Sequence, residues 1–317
     1  MAGIVEMFFN EAFLISLTAA GIRMATPLLL AALGELIAER AGILNLSLEG
    51  IMTAGAFASY AMTFFTGNLW DGLVFAMIAG VIFGLLMAYA SVTLRANQVI
   101  VGLGLWLLGL GAVHFLFRAT FGVLTIPYTI PRLEPIPIPT LSQIPIIGKI
   151  LFEQNLLVYM AFILVPIVYI ILFKTTLGLK IRSVGENPRA ADTLGINIFL
   201  LRYVCTIIGA ALTGLGGAYL ALELGFFREY MVSGRGWITI ALVIFSGWEP
   251  FKALAGSILF GLIDALQIRV QALQIPIPYQ ILQMLPFIAT FIALIIISKK
   301  VVGKPAALSI PYRREEE

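Results

Sequence analysis

Long apolar segments separated by short polar connections recur along the whole chain. They have the roughly 18 to 25 residues needed to cross a bilayer, as in LLVYMAFILVPIVYIILF at 156–173. Helices satisfy their own backbone hydrogen bonds, and barrel strands would alternate instead. We therefore predict an all-α, polytopic transmembrane bundle of about nine spans, with a range of eight to ten, near residues 12–38, 43–65, 69–94, 97–117, 151–173, 198–222, 236–248, 253–271 and 279–298.

Two features of the N-terminal region bear on its topology. Arg23 and Pro27 interrupt the first apolar segment, which fits either one kinked helix or two shorter elements. The side of the membrane on which the N-terminus lies depends on which is formed. The first residues, MAGIVEMFFNEAF, lack the basic flank of a signal peptide, so we expect them to belong to the mature chain.

Composition supports a membrane protein and indicates its orientation. Of 317 residues, 60% are hydrophobic and 12% charged, and the mean hydropathy is +1.01, outside the range of soluble domains. The net charge of +3 follows from basic residues in connections, so it does not indicate nucleic acid. Two basic clusters predict a cytoplasmic connection at 174–202 and a cytoplasmic C-terminus: Lys174, Lys180, Arg182, Arg189 and Arg202, and Lys299, Lys300, Lys304, Arg313 and Arg314.

The longest non-apolar stretch lies at 118–150 and includes TIPYTIPRLEPIPIPT. Its prolines favour extended, polyproline-like backbone. We predict an external loop that does not cross the membrane.

The chain lacks the residue patterns that nucleotide hydrolysis and metal binding require. There is no GxxxxGK[ST] phosphate loop, CxxC or HExxH, and His114 is the single histidine. Cys205 is the single cysteine, which excludes an internal disulfide. We therefore predict no catalytic residues, no metal site and no bound cofactor.

Polar residues in apolar spans are the best candidates for a translocation path, because a charge at a helix centre costs about 2.5 to 3.5 kcal/mol. Asn45, Ser47 and Glu49 alternate in ILNLSLEG between two glycines. This spacing fits either an unwound entry into the membrane that lines a cavity, or a helix cap at the cytoplasmic interface. Asn97 and Gln98 open the fourth span.

Asp264 is the most deeply placed acidic residue, one turn from Gln267. It is either a cavity or gating residue, or half of a structural ion pair with Arg269 or another neighbour. Gly80 and Gly84, four residues apart, favour close helix packing. AGVIFGLLMA (79–88) is similar to AGSILFGLIDA (255–265), and each follows a glycine-bearing segment. This similarity fits two inverted repeats or chance.

The polar stretch VGENPRAADTLG (184–195) contains signals for a short helix. Asn187 is a typical N-cap, Pro188 suits the first helical position, and Gly195 is a typical stop. A helix this short needs packing partners to be stable. We predict a helix over Arg189–Leu194 within the connection 174–202.

ENPRAADTLGI (186–196) resembles the cytoplasmic coupling loop of ABC importer permeases, in which two alanines followed four residues later by glycine form a helix seated in the ATPase subunit. AERAGILNLSLEG (38–50), RANQVIVGL (95–103) and GRGWITIAL (234–242) resemble the nucleoside and simple-sugar branch, which is related to ribose and branched-chain amino acid permeases. The resemblance covers Pro27 to Ser298.

The resemblance implies a single transmembrane permease domain (1–317) in the cell membrane, without enzymatic activity. ATP and Mg²⁺ would bind a separate ATPase subunit. Further partners would be a second permease chain, in a heterodimer or a homodimer, and an external substrate-binding lipoprotein. Trp237, where a smaller aromatic residue is frequent, joins the path candidates. The residues implied in ATPase coupling are Glu186, Asn187, Pro188, Arg189, Ala190, Ala191 and Gly195.

Alternatives remain open for the cargo and the energy source. LNLSLEG resembles nucleoside-type permeases most, with simple sugars, riboflavin-like vitamins and branched-chain amino acids as alternatives. An ion-coupled secondary transporter would rely on Asp264 and Glu49. A membrane-embedded enzyme has the least support, because no catalytic couple can be assembled.

Overall fold

The computed structural model describes residues 10–123, 126–272, 278–297 and 303–313, and these residues are mostly helical. The predictions for Lys299, Lys300 and Arg314 lie outside the described residues. In chain order the elements are α1 (Glu11–Arg40), α2 (Leu48–Thr66), α3 (Leu69–Ala88) with a π-helical turn (Tyr89–Thr93), α4 (Gln98–Phe121), β1 (Pro135–Pro137), a 3-10 turn (Leu141–Gln143), α5 (Ile147–Leu151), β2 (Glu153–Asn155), α6 (Leu156–Lys174), α7 (Thr176–Glu186), α8 (Pro188–Thr193), α9 (Ile198–Leu224), α10 (Arg235–Phe245), α11 (Pro250–Ala272), α12 (Tyr279–Gln283) and α13 (Leu285–Ile297).

The polytopic helical fold agrees with the prediction, but the count of nine spans is not confirmed. Among the described residues, six helices are long and apolar enough to cross a membrane: α1, α3 with its π-helical turn, α4, α6, α9 and α11. Shorter apolar helices lie at Arg235–Phe245 and Gln280–Ile292. The helix α2 has 19 residues but carries Glu49 in its first turn, and 12 of its residues are buried.

The first segment is one continuous helix with Pro27 inside it, so the two-element alternative is wrong. The stretch at 118–150, predicted to be an external loop, contains regular structure. After α4 ends at Phe121, β1 pairs antiparallel with β2, and α5 lies between them. The prolines of β1 thus lie in extended backbone, as predicted, and the stretch also contains a 3-10 turn and a short helix. Because Pro135 and Pro137 lack N–H groups, they restrict hydrogen bonding in β1.

Glycines bring the central helices into backbone contact. A Cβ at Gly34 of α1 would lie 2.3 Å from the carbonyl oxygen of Gly209 in α9, and one at Gly80 of α3 would lie 2.3 Å from that of Ala210. The predicted close packing at Gly80 is thus confirmed. Likewise, α11 packs against α1, where a Cβ on Gly261 would meet a backbone oxygen at 2.2 Å. The helices α1 and α9 therefore form the centre, each covered by a helix from the other half of the chain.

Candidate functional site

Glu49 joins the N-terminal ends of α2 and α10 inside the bundle. Its Oε1 accepts a hydrogen bond from the N–H of Gly234, and its Oε2 accepts one from Gly236, each at 2.7 Å. The residue is 8% exposed. First-turn N–H groups have no partner within their own helix, and a carboxylate stabilises the positive end of the helix dipole. Glu49 therefore caps a helix distant in sequence. We call Glu49 with residues 234–236 the helix junction.

The two helices of the junction lead to different ends of the molecule. At the far end of α2, the Tyr60 hydroxyl donates to the carbonyl oxygen of Tyr128 in the predicted outer loop, at 3.1 Å. The helix α10 leads instead to Trp248, whose carbonyl oxygen accepts from Nη2 of Arg40 at 3.0 Å, at the end of α1. Both helices therefore begin inside the bundle, where their N-terminal N–H groups can be bound by a side chain such as Glu49.

Buried polar groups hold the non-helical backbone at 41–47 that leads into α2. The N–H of Asn45 donates to Oε1 of Glu35 at 2.8 Å, and Asn45 Oδ1 accepts from the N–H of Ser47 at 3.1 Å. The N–H of Leu44 donates to Oε1 of Gln98 at 2.8 Å. Of the two alternatives for this stretch, the structure has the non-helical backbone. Asn45, Ser47 and Gln98 are fully buried and fix this loop rather than line an open space.

The remaining path candidates occupy different environments. Asn97 is exposed and caps α4, accepting from the N–H of Val99 at 2.9 Å. Trp237 lies beside the junction, with its ring 5.2 Å from that of Trp106 in an edge-to-face contact. The structure thus places Trp237 with Glu49, whereas Asn97 lies at a helix end.

Asp264 forms an ion pair with Arg235 at the start of α10, with Nη2 and Oδ2 separated by 3.1 Å. Arg269 instead donates to the Ser16 hydroxyl at 2.9 Å, so the suggested Asp264–Arg269 pair is wrong. The pair is beside the helix junction, because Arg235 lies between the two glycines that contact Glu49. Both acids that a secondary transporter would require are therefore already engaged by protein groups.

The predicted short helix is formed at 188–193, followed by Gly195 with a positive φ of 78°. The Asn187 side chain accepts from the N–H of Ala190 at 3.1 Å, which is the expected N-cap. Ala190 is exposed, whereas Ala191 is 1% exposed. The preceding residues, read only as an amphipathic connection, form the helix α7. The predicted helix thus presents one face to the bundle and leaves the other free of the described residues.

The C-terminal segment 303–313, which we call the tail, packs on α7 and α8. The N–H of Ala307 donates to the carbonyl oxygen of Gly185 at 2.8 Å, and the Tyr312 hydroxyl donates to Oδ2 of Asp192 at 2.8 Å. The Tyr312 ring packs in a cluster that includes Ala191. The connection 174–202 and the tail therefore lie at the same end of the molecule.

Sequence reasoning missed a buried polar cluster at this end. Glu35 and Glu39 lie one turn apart on α1, and Glu39 Oε2 accepts from the indole Nε1 of Trp248 at 2.5 Å. Arg202 is also buried and donates to the carbonyl oxygens of Ala41 and Ile310, each at 3.2 Å. The signal for the acidic pair was present in ELIAER, where two acids recur at i and i+4 in an apolar helix.

Arg118 and Glu229 form a bidentate ion pair at the end of the molecule away from the tail. Nε donates to Oε1 at 3.0 Å, and Nη2 donates to Oε2 at 3.2 Å. These hydrogen bonds from Arg118 lower the pKa of Glu229 below its usual value. Nearby, the His114 ring contacts Tyr230. Among the described residues, no three His, Cys, Asp or Glu side chains are grouped so as to hold a metal ion.

The long apolar helices, the junction inside the bundle and the non-helical backbone that enters it define an integral membrane transport protein. The chain belongs to the family described as branched-chain amino acid transport system / permease component, whose model matches residues 17–295. It is thus a permease component of an ABC transporter rather than an enzyme. Such permeases work in the membrane with separate ATPase subunits, which hydrolyse ATP, and with substrate-binding partners.

Three relatives illustrate the family. The chain is 40% identical to the "Putative glucose ABC transporter permease protein TsgC13" of Haloferax volcanii, over 83% of this chain and 80% of the relative. It is 36% identical to the guanosine ABC transporter permease protein NupQ of Bacillus subtilis and 38% identical to the nucleoside ABC transporter permease protein NupC of Lactococcus lactis, in both cases over 91% of this chain and 93% of the relative. Each organism also has a second permease that the chain matches at 25% or 26% identity. No solved structure matches the chain.

Proposed function

We propose that the chain is a permease subunit of an ATP-driven importer for nucleosides or a related small polar solute. The observation that carries this proposal is the match to the guanosine and nucleoside permeases over 91% of the chain. The glucose-named relative, at 40% identity, supports a simple sugar as the second candidate. Vitamins and branched-chain amino acids have no such support among these relatives.

In this proposal the translocation path passes the helix junction. The start of α2, the start of α10 that Glu49 caps, the Trp106–Trp237 contact and the Arg235–Asp264 pair lie there together. The reciprocal packing of α3 on α9 and α11 on α1 supports two inverted repeats, whose interface is the usual position of a transport path. Few unpaired charges near the junction favour a neutral solute.

The connection 174–202 transfers movement from the ATPase and performs no chemistry. Its short helix α8 presents Ala190 outward, while its buried face contacts the tail. The tail also accepts a hydrogen bond from Arg40 through Gly303, and the same arginine contacts Trp248 at the end of α10. Contacts therefore run from α8 towards the helix junction. The connection and the C-terminus are cytoplasmic, and the loop at 118–150 is external.

Cysteine labelling tests this orientation. Cys205 is 2% exposed, so the native background should label weakly. We expect Arg189→Cys to react with a membrane-impermeant maleimide only in inverted membrane vesicles. Gln143→Cys, exposed in the outer loop, serves as the matched control and should react in intact cells. Labelling of Arg189→Cys from outside intact cells would contradict the coupling role.

The functional assembly contains two different permease chains in this proposal. The support is that the three relatives each come from an organism with a second, less similar permease. Purification of the active complex tests this point. We expect uptake only when the second permease is present, whereas full uptake with two copies of this chain would favour a homodimer.

Reconstitution tests the transport proposal. The complex of both permeases, the ATPase and the binding protein is placed in proteoliposomes with guanosine or glucose outside. We expect uptake that requires ATP and persists when proton and sodium gradients are collapsed. ATP-independent uptake that stops when a gradient is collapsed would instead show an ion-coupled secondary transporter.

A further inference from the structure

A polar cavity lies beside the helix junction, between the start of α10, the last turns of α11 and the helices α12 and α13. Its volume is about 350 Å³, near the lower end of the roughly 300 to 1,000 Å³ typical of small-molecule sites. Gln267, Gln271 and Gln283 line it together with the Arg235–Asp264 pair and the Phe287 ring. Carboxamides from three separate turns thus converge on one space.

The hydrogen-bonding groups of this cavity are incompletely used. Within the described parts of the chain, the carboxamides of Gln267, Gln271 and Gln283 have no hydrogen-bond partner. Arg235 donates through Nη1 to the backbone and through Nη2 to Asp264, but its buried Nε has no partner there either. That Nε has almost no accessible surface, so the groups left for a bound solute are the three carboxamides.

The chemistry of these groups selects a class of ligand. Each carboxamide both donates and accepts, as a hydroxyl group does. The charges of Arg235 and Asp264 compensate each other, so the cavity offers no net charge to an ion. Phe287 and the apolar side chains of Ile238 and Ile268 add walls for the less polar face of a ring. A neutral polyhydroxylated ring fits this combination better than a free ion or an apolar solute.

We infer that this cavity binds the hydroxyl groups of a sugar ring, either free or as part of a nucleoside, while the solute passes the helix junction. The inference rests on the proposed function, because it assigns a place in the path to the part that nucleosides and simple sugars have in common. Gln267 and Gln271 contact the hydroxyls, and Gln283 lies on the opposite wall of the same cavity.

A comparison of two solutes and two classes of variant tests the inference. The variants are Gln267→Leu and Gln271→Leu, with Gln280→Leu as the matched control, because Gln280 is exposed on α12 and does not line the cavity. Maximal ATP-dependent uptake is measured in proteoliposomes that contain the whole complex, with saturating binding protein loaded with guanosine or 2′,3′-dideoxyguanosine. ATP hydrolysis and elution in gel filtration report on assembly.

We expect each cavity variant to take up guanosine about tenfold more slowly than wild type, the size of effect expected for one lost hydrogen bond. Uptake of the dideoxy solute should already be slow in wild type, because this solute lacks the two hydroxyls. Removing the glutamine side chain should then slow it less than about twofold further, because the hydrogen bond between the two groups is already lost. The control should behave as wild type.

An equal loss for both solutes, or a loss for neither, would overturn the inference. Failure of the proposed function would be visible earlier, in the wild-type complex, as no ATP-dependent uptake of either guanosine or glucose. Failure of this inference is visible only in the variants, so the two results are distinct.

Discussion

Gly236→Ala is expected to disrupt the helix junction and to abolish uptake. The added Cβ would lie 2.3 Å from the backbone nitrogen of Glu49 and 2.5 Å from its Cα. These are backbone atoms, which cannot rotate away as a flexible side chain can. Overpacking of a well-packed core costs about 1 to 3 kcal/mol or more. We expect the upper end of this range, because separating α2 from α10 also weakens both hydrogen bonds to Glu49.

Thermal denaturation of the detergent-solubilised protein, followed by gel filtration of the remaining folded fraction, measures this effect. Gly104→Ala is the matched control. A Cβ at Gly104, in α4, meets no atom within 4 Å, so this variant should be as stable as wild type or more stable. A Gly236→Ala protein with the same melting temperature and uptake as the control would show that the junction is not as tight as described.

Local sequence signals predicted local structure well. Asn187, Pro188 and Gly195 carry the start and stop of α8, and the structure has the helix between them. The glycine spacing at Gly80 and Gly84 correctly indicated close packing. These predictions succeeded because caps, proline and glycine act within a few residues of the chain.

The partners of the candidate site could not be predicted in the same way. Glu49 and Gly236 are far apart in sequence, and so are Glu39 and Trp248. Such pairs depend on how the helices pack, which a single sequence does not state. For the same reason the sequence suggested Arg269, a neighbour on the same helix, as a possible partner of Asp264. The structure instead pairs Asp264 with Arg235 of α10.

The number of membrane spans could not be predicted for a different reason. Hydropathy identifies apolar segments but does not distinguish a helix that crosses the membrane from one that begins within the bundle. The helix α2 begins at Leu48, after non-helical backbone held by Gln98, and α10 has only 11 residues. Hydropathy indicates an ordinary span for each of them because their composition is apolar. Their ends, which meet at Glu49, are the part of the fold that carries the candidate site.

Ala190→Glu is expected to separate ATP hydrolysis from transport without unfolding the protein. Ala190 is exposed on α8, whereas its neighbour Ala191 packs against Tyr312 of the tail. Substitutions at exposed positions usually change the free energy of unfolding by less than about 0.5 kcal/mol. In the proposed assembly α8 seats in the ATPase, and a bulky charge would oppose this seating because an unpaired buried charge at an interface is costly.

We expect ATP-dependent uptake by the reconstituted complex to fall at least about tenfold, the equivalent of about 1.4 kcal/mol. The melting temperature of the permease should stay unchanged, and the loaded binding protein should no longer stimulate ATP hydrolysis. Gln143→Glu makes the same charge change at an exposed position in the loop predicted to be external, so it should transport as wild type. An uptake rate of Ala190→Glu within about twofold of the Gln143→Glu rate would correspond to a difference of only about 0.4 kcal/mol. In that case α8 would not be the point at which the ATPase acts.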